Sequence, residues 1–213
     1  MKHQQLIREK VSRETLEGAR EIYSKNEEEL ENYIDLLLEW NSKINLVSRS
    51  VSRETVREHV THSLIPMQLG LVNEFDAWID SGSGGGLPGA PLAIANPDKH
   101  FYLNDNVKKK MRAVSDIIER GGIKNAETVA KSISLVDMKK GTGIVTKHAF
   151  KIDDLLRLLG SKPWKTVIMW KGAEGAMKEI SQSKKKLKYT LYEFDFGPEE
   201  EFYEGKALLK IER

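Results

Sequence analysis

The chain has 213 residues, no cysteine and a formal net charge of +2. That length suits one α/β domain with an extension, or two very small domains, and it buries a core without covalent staples. The composition excludes disulfides and thiolate metal centres and argues against a histone-like polycation, while local basic clusters remain able to bind phosphates.

In chain order, the first residues, Met1 to Arg8, are too charged for a signal peptide, and no apolar run approaches membrane-spanning length, so a cytoplasmic protein is expected. Residues 1–74 read as a helical extension and residues 75–213 as the main domain. Ser24 and Glu27 have capping-box spacing. After them Leu30, Tyr33, Ile34, Leu37, Trp40 and Ile44 recur at helical spacing. A further helix is expected from about Arg53 to Leu69, with Ser52 as its N-cap; the same short string, Val-Ser-Arg-Glu-Thr, places Ser12 in the equivalent role. His59 and His62 stand three apart on that helix, but with no third ligand nearby in sequence they read as core or packing residues, and no metal is expected.

From Phe75 onward, strands and helices alternate. Strands are expected at 75–80, 100–104, 127–130, 144–147 and 166–170, with helices opening near Pro88, at about 108–120 and at 152–159. This alternation implies a parallel sheet covered on both faces. Residues 188–196 and 206–211 alternate like half-exposed strands and close the sheet as an antiparallel pair, which makes seven strands. Basic clusters fall at Lys108–Lys110 with Arg112, at Lys139–Lys140, and at Lys184–Lys186 with Lys188.

One stretch organises the rest: Asp80-Ser-Gly-Ser-Gly-Gly-Gly-Leu-Pro-Gly89. It has an acid at the end of the first strand and glycines at Gly82, Gly84 and Gly86, followed by Leu87 and a helix start. Glycine lets a ligand approach the main chain, and a helix start offers free N–H groups. No Gly-Lys-Ser/Thr follows, so this is not a Walker loop. Asp105, 25 positions after Asp80 at the end of the second strand, stands where doubly wound folds grip a ribose by its hydroxyls. NAD and S-adenosylmethionine both answer to that pattern. The acid Asp80 ahead of the glycines, the antiparallel ending and the lack of a large substrate domain favour S-adenosylmethionine.

The motif at 80–89 resembles that of the RsmG (GidB) family. So do Glu39-Trp40-Asn41 with Asn45-Leu46, Glu58-His59-Val60 before Ser63-Leu64, Leu103 and Asp105 with Lys109-Lys110, and Trp170-Lys171-Gly172. The resemblance spans about residues 30–211. It implies a Rossmann-like class I methyltransferase fold and methylation of a guanine N7 in 16S ribosomal RNA, with naked small-subunit RNA or the 30S particle as partner. It also implies that Gly82 and Leu87 line the methionine side of the cofactor, that Asp105 bonds the ribose, and that Ile133, Ser134 and His148 complete the cofactor site. Lys109, Lys110, Lys147 and Lys171 would hold RNA, and no catalytic acid or base is expected. A monomer is expected. Ser134 and His148 depart from the acid and the arginine usual in the family, as Ser132 does from an arginine and His62 from an aspartate. The readings set against this one are a methyltransferase of another substrate, an RNA-binding homologue without turnover, and a nicotinamide dehydrogenase.

Overall fold

Apolar residues of the central strands alternate between two cores, and that alternation sets the layers. In the computed structural model, which describes residues 5–213, strand β2 (Ala77–Ser81) pairs in parallel with β3 (His100–Asn104) on one side and β5 (Thr142–Lys147) on the other. Strand β4 (Ala126–Val129) extends the sheet beyond β3, and β6 (Thr166–Gly172) extends it beyond β5, both in parallel. The last two strands, β7 (Lys188–Asp195) and β8 (Lys206–Glu212), are antiparallel to each other, and β8 is antiparallel to β6, as the patterning predicts.

Trp78, Phe101, Val145, Ile168 and Trp170 point to one face, where helices α1 (Arg13–Lys25), α2 (Glu27–Lys43), α3 (Arg53–Gln68), α4 (Gly89–Ala95) and α5 (Lys108–Arg120) cover them. Ile79, Ile144, Val167, Met169 and Leu209 point to the other face, under α6 (Ile152–Leu159) and α7 (Ala173–Gln182). A strand buried on both faces becomes a near-continuous apolar run, which is why β5 and β6 were readable.

The sheet has eight strands rather than the expected seven, in the order β1-β7-β8-β6-β5-β2-β3-β4. The extra strand, β1 (Gln5–Ser12), lies in a segment expected to be helical and pairs in parallel with β7. Residues 1–4 of that expectation lie outside the described residues. Cross-strand charges hold this edge: Arg8 donates twice to Glu193, at 2.7 and 2.9 Å, and Lys10 donates to Asp195 at 3.1 Å. Charged side chains also blunt an edge against pairing with other chains.

The capping box at Ser24 is absent because α1 continues through Lys25; α2 starts after Asn26 with three glutamates that suit the positive helix end. Ser52 caps α3 as expected, accepting from the Thr55 amide, whereas Ser12 occupies the N-cap position of α1 without a side-chain bond. Strand order reverses between β2 and β5, so a crevice opens at their carboxyl ends.

Candidate functional site

Beyond Ser81 the chain folds over the end of β3. The amides of Gly82 and Ser83 donate to the Asn104 carbonyl at 2.7 and 3.0 Å, and those of Gly86 and Leu87 to the Ser83 carbonyl at 2.8 and 3.0 Å. The Gly84 amide reaches Asp105 Oδ2 at 3.3 Å and the Gly89 amide reaches Asp80 Oδ2 at 2.8 Å. The sequence suggests free amides awaiting a ligand; for the amides of Gly82–Gly84, Gly86, Leu87 and Gly89 the structure corrects this, since so tight a turn engages them within the protein. The loop therefore acts by shape.

Its glycines are required by what presses on them. A Cβ on Gly82, whose φ is +75°, would stand 2.4 Å from Ala149 Cβ, and one on Gly85 would stand 2.7 Å from Leu37 Cδ1. Tyr33, fully buried on α2, donates to the Gly85 carbonyl at 3.0 Å, so the N-terminal helices brace the loop from behind.

A cavity of about 700 Å³ opens between this loop and the strand ends. One wall is Gly82–Gly85 with Leu87, and a second is Asp105, Val107, Lys110 and Ile133. Both Asp105 oxygens are fixed, Oδ2 by Gly84 and Oδ1 by the Val107 amide at 2.8 Å. Each keeps lone-pair capacity for a ligand hydroxyl. The third wall is Lys147, His148 and His59, and the rim is the segment Leu46–Ser48 with Val51. Asn41 sets that rim, donating to the Ser48 carbonyl at 2.6 Å and accepting from the Leu46 and Val47 amides at 2.9 and 3.1 Å.

Lys147 is 9% exposed, and its Nζ donates to His59 Nδ1 at 3.1 Å and to the His59 carbonyl at 2.9 Å. Burial, with Lys206 nearby, pushes the Lys147 ammonium down to about 7. Burial and the Lys147 charge push His59 down to about 3, so its ring is neutral. His62 is fully buried among Trp170, Phe194, Phe202 and Tyr203, is held well below the ordinary histidine range, and serves the core as expected.

Of the expected cofactor residues, Gly82, Gly84, Leu87, Asp105, Ile133 and His148 line the cavity. His148 does so from the left-handed region, at φ 56°. Gly86 sits behind the loop against Ala90 and Tyr33, and Ser134 is exposed, its Oγ 2.9 Å from that of Ser132. Of the expected RNA contacts, Lys110 and Lys147 line the cavity and Lys109 is exposed on the first turn of α5. Lys171 is set apart from them: buried, it pairs with Glu179 at 2.6 Å and donates to the Phe150 carbonyl at 3.2 Å, tying β6 to α7. Ser132, a departure from the family pattern, also lines the cavity, whereas His59, Asn104 and the rim at 46–51 are not among the expected site residues; the Trp40-Asn41 motif is the signal for the rim.

Asp80 lies beneath the loop rather than in the cavity. It is fully buried, its Oδ1 has no partner, and burial pushes it up from 3.8 to about 8. Folding thus favours its protonated form, so its contribution is complete below its ordinary value and is lost as pH rises through about 8. Asp80→Asn keeps an acceptor for Gly89 without titrating. Between pH 5 and 7 the wild type is expected to lose about 2–3 kcal/mol more stability than the variant, read from urea midpoints. The comparison stops at pH 7 because above it Lys147 trends the opposite way, and the two groups interact with each other.

The family model for rRNA small subunit methyltransferase G (GidB) matches residues 26–196. A ribosomal RNA small subunit methyltransferase G from Chlorobium phaeobacteroides is 36% identical over 150 residues, which cover 68% of this chain and 66% of that protein. The Chlorobium limicola protein of the same name is 45% identical over 121 residues, covering 55% of this chain and 52% of its own length. The matches thus span between half and two thirds of these relatives. Among solved structures, an O-methyltransferase from Bacillus cereus in complex with SAH superposes with a TM-score of 0.58 at 12% identity, over 85% of this chain and 90% of that one. At such low identity the likeness concerns the fold.

Proposed function

The chain belongs to the GidB family of ribosomal RNA small-subunit methyltransferases, and from that premise we propose that it transfers a methyl group from S-adenosylmethionine to N7 of a guanine in small-subunit ribosomal RNA. The observation that carries this reading is the cavity at the strand-order reversal, with a close-packed glycine wall and an anchored acid on one side and nitrogen donors on the other. Its volume of about 700 Å³ falls within the range of about 300–1,000 Å³ usual for small-molecule sites.

The residues fit an adenosyl cofactor. Asp105 presents carboxylate lone pairs to ribose hydroxyls, Ile133 and Val107 offer apolar surface to a purine, and the glycine wall admits the amino-acid end beside Leu87. When bound, S-adenosylmethionine supplies a methyl group already activated by its sulfonium.

What the protein contributes is position. Guanine N7 carries a lone pair and no proton, so no side chain has to remove one. Holding acceptor and donor in line contributes up to about 7–11 kcal/mol in well-aligned cases. The carboxyl ends of β2 and β5 place the glycine wall and Lys147 across one cavity, and Lys108–Lys110 at the start of α5 give the mouth a positive edge for phosphates. The rim at Leu46–Ser48 and Val51, pinned by Asn41, borders the opening.

The test is transfer of labelled methyl from S-adenosylmethionine to small-subunit RNA and to the isolated particle, with the modified nucleotide mapped. Incorporation at a guanine, sensitive to strand scission specific for N7-methylated guanine, is expected. Cofactor binding by calorimetry with no transfer to either RNA form would sink the enzymatic reading and leave an RNA-binding relative.

A further inference from the structure

Lys147 is a buried amine that the fold does not explain. It is 9% exposed, and among the described residues no carboxylate lies within ion-pair reach of it. The carboxylate that serves the same layer, Asp80, spends Oδ2 on the Gly89 amide and leaves Oδ1 unpartnered. Removing an ammonium from water without a counter-ion is costly, and such placements concentrate at working sites.

The geometry leaves one donor to spare. In its protonated form Lys147 has three protons, and two go to His59, to Nδ1 at 3.1 Å and to the carbonyl at 2.9 Å. His59 can hold this arrangement because its ring is neutral, and in the tautomer protonated at Nε2 its Nδ1 accepts from the lysine. The remaining proton belongs to a residue that lines the cavity.

Its level along the sheet is also fixed. Asp80 and Val145 are partners in the β2–β5 register, and Gly82 and Lys147 each lie two residues further on. Ala149, two residues past Lys147, packs against Gly82. Lys147 therefore stands at the level where the glycine wall ends, in the cavity that a methyl acceptor would enter.

A purine that presents N7 for methylation presents the group at C6 beside it. In guanine that group is a carbonyl acceptor, and in adenine it is an amino donor. We propose that Lys147, held by His59, reads the C6 position of the target purine, donating to guanine O6 and leaving an adenine amino group facing a donor. This rests on the methyl-transfer reading above, and it assigns Lys147 to base recognition rather than to the RNA backbone.

The test is a cycle between enzyme and substrate. Small-subunit RNA is assembled by ligation with guanine or 2-aminopurine, which keeps N7 and lacks O6, at the mapped target. Initial rates are then compared for the wild type, Lys147→Met and Lys147→Arg. Loss of one charge-assisted hydrogen bond is expected to slow the wild type about 10- to 100-fold on 2-aminopurine, and Lys147→Met by a similar factor on guanine. The two losses are expected not to multiply: Lys147→Met treats the two bases alike within about twofold, as a residue that acts on O6 requires. Lys147→Arg, which keeps a donor, is expected to recover discrimination between the two bases. Calorimetry is expected to give the same cofactor affinity for all three proteins.

Losses that multiply would overturn the proposal, because Lys147 would then act elsewhere, for instance on a phosphate. A fall in cofactor affinity with Lys147→Met would overturn it by placing the residue on the cofactor side. A wild type that transfers to no guanine at all would remove the methyl-transfer reading and this proposal with it. Misfolding is checked by urea midpoint; the Met variant is expected to be at least as stable as the wild type, since it removes a buried amine that has no ion-pair partner among the described residues.

Discussion

Gly82→Asp is expected to abolish cofactor binding and to bring methyl transfer below detection, at a stability cost of about 2–4 kcal/mol. Gly82 sits at φ +75°, where any side chain is strained, and its Cβ would overlap Ala149 Cβ at 2.4 Å and crowd Phe150 Cε2 at 3.1 Å. Both neighbours belong to the turn that follows β5, so the substitution separates the two strand ends whose closeness forms the cavity. The new carboxylate then stands in a cavity that already holds Asp105. Calorimetry with S-adenosylhomocysteine is the direct measurement, and circular dichroism with a urea midpoint separates lost binding from lost folding. Gly82→Ala brings the strain without the charge and is expected to lose affinity about tenfold or more while staying folded. Undiminished affinity in either variant would move the cofactor away from the glycine wall.

The glycine stretch was legible because everything that shapes it is local: a strand, an acid, the glycines and a helix start within ten positions. Strand β3 and helices α5 and α6 begin and end where expected for the same reason, since Asn104-Asp105, Gly121-Gly122 and Gly160 are punctuation that needs no distant partner. Strand β1 was not legible. Its segment carries few apolar residues, and what makes it a strand is pairing with β7, 185 positions away at Arg8 and Glu193. Helix α7 keeps helical apolar spacing at Ala173, Ala176, Met177 and Ile180, but Gly172 and Gly175 around its first turn read as breakers and hid it.

The same division runs through the site. Asp105 and Gly82 were identified by position along the chain, and both line the cavity. Asp80 carries the same motif, yet burial turns it into a support for the Gly89 amide. Lys171 stood out as part of a motif, but its partner Glu179 lies on the unassigned α7, so its engagement could not be seen. Lys147 and His59 are 88 positions apart, and only the fold brings them to one wall. Sequence spacing therefore marks residues that act beside their own turn; it does not tell a cavity residue from one buried just behind it.

Asp105→Ala is expected to raise the dissociation constant of S-adenosylmethionine about 30- to 1,000-fold, and to lower kcat/KM in proportion. The arithmetic follows from two hydrogen bonds between a carboxylate and ribose hydroxyls, each contributing roughly 1.5–3 kcal/mol, discounted because they are not additive. Part of the effect comes from the loop itself, since Asp105 also fixes the Gly84 amide at 3.3 Å and the Val107 amide at 2.8 Å. Asp105→Asn keeps an acceptor for one of these amides and removes the charge, so an intermediate loss is expected. The two contributions separate with a ligand that lacks the ribose hydroxyls, such as a dideoxy analogue of S-adenosylhomocysteine. If Asp105 holds the ribose, the wild type discriminates strongly between the natural and the dideoxy ligand, and Asp105→Ala hardly at all. If it only shapes the loop, both ligands lose equally when it is removed. Equal losses would mean that the acid at the end of β3 is scaffolding, and that ribose recognition belongs to another wall of the cavity.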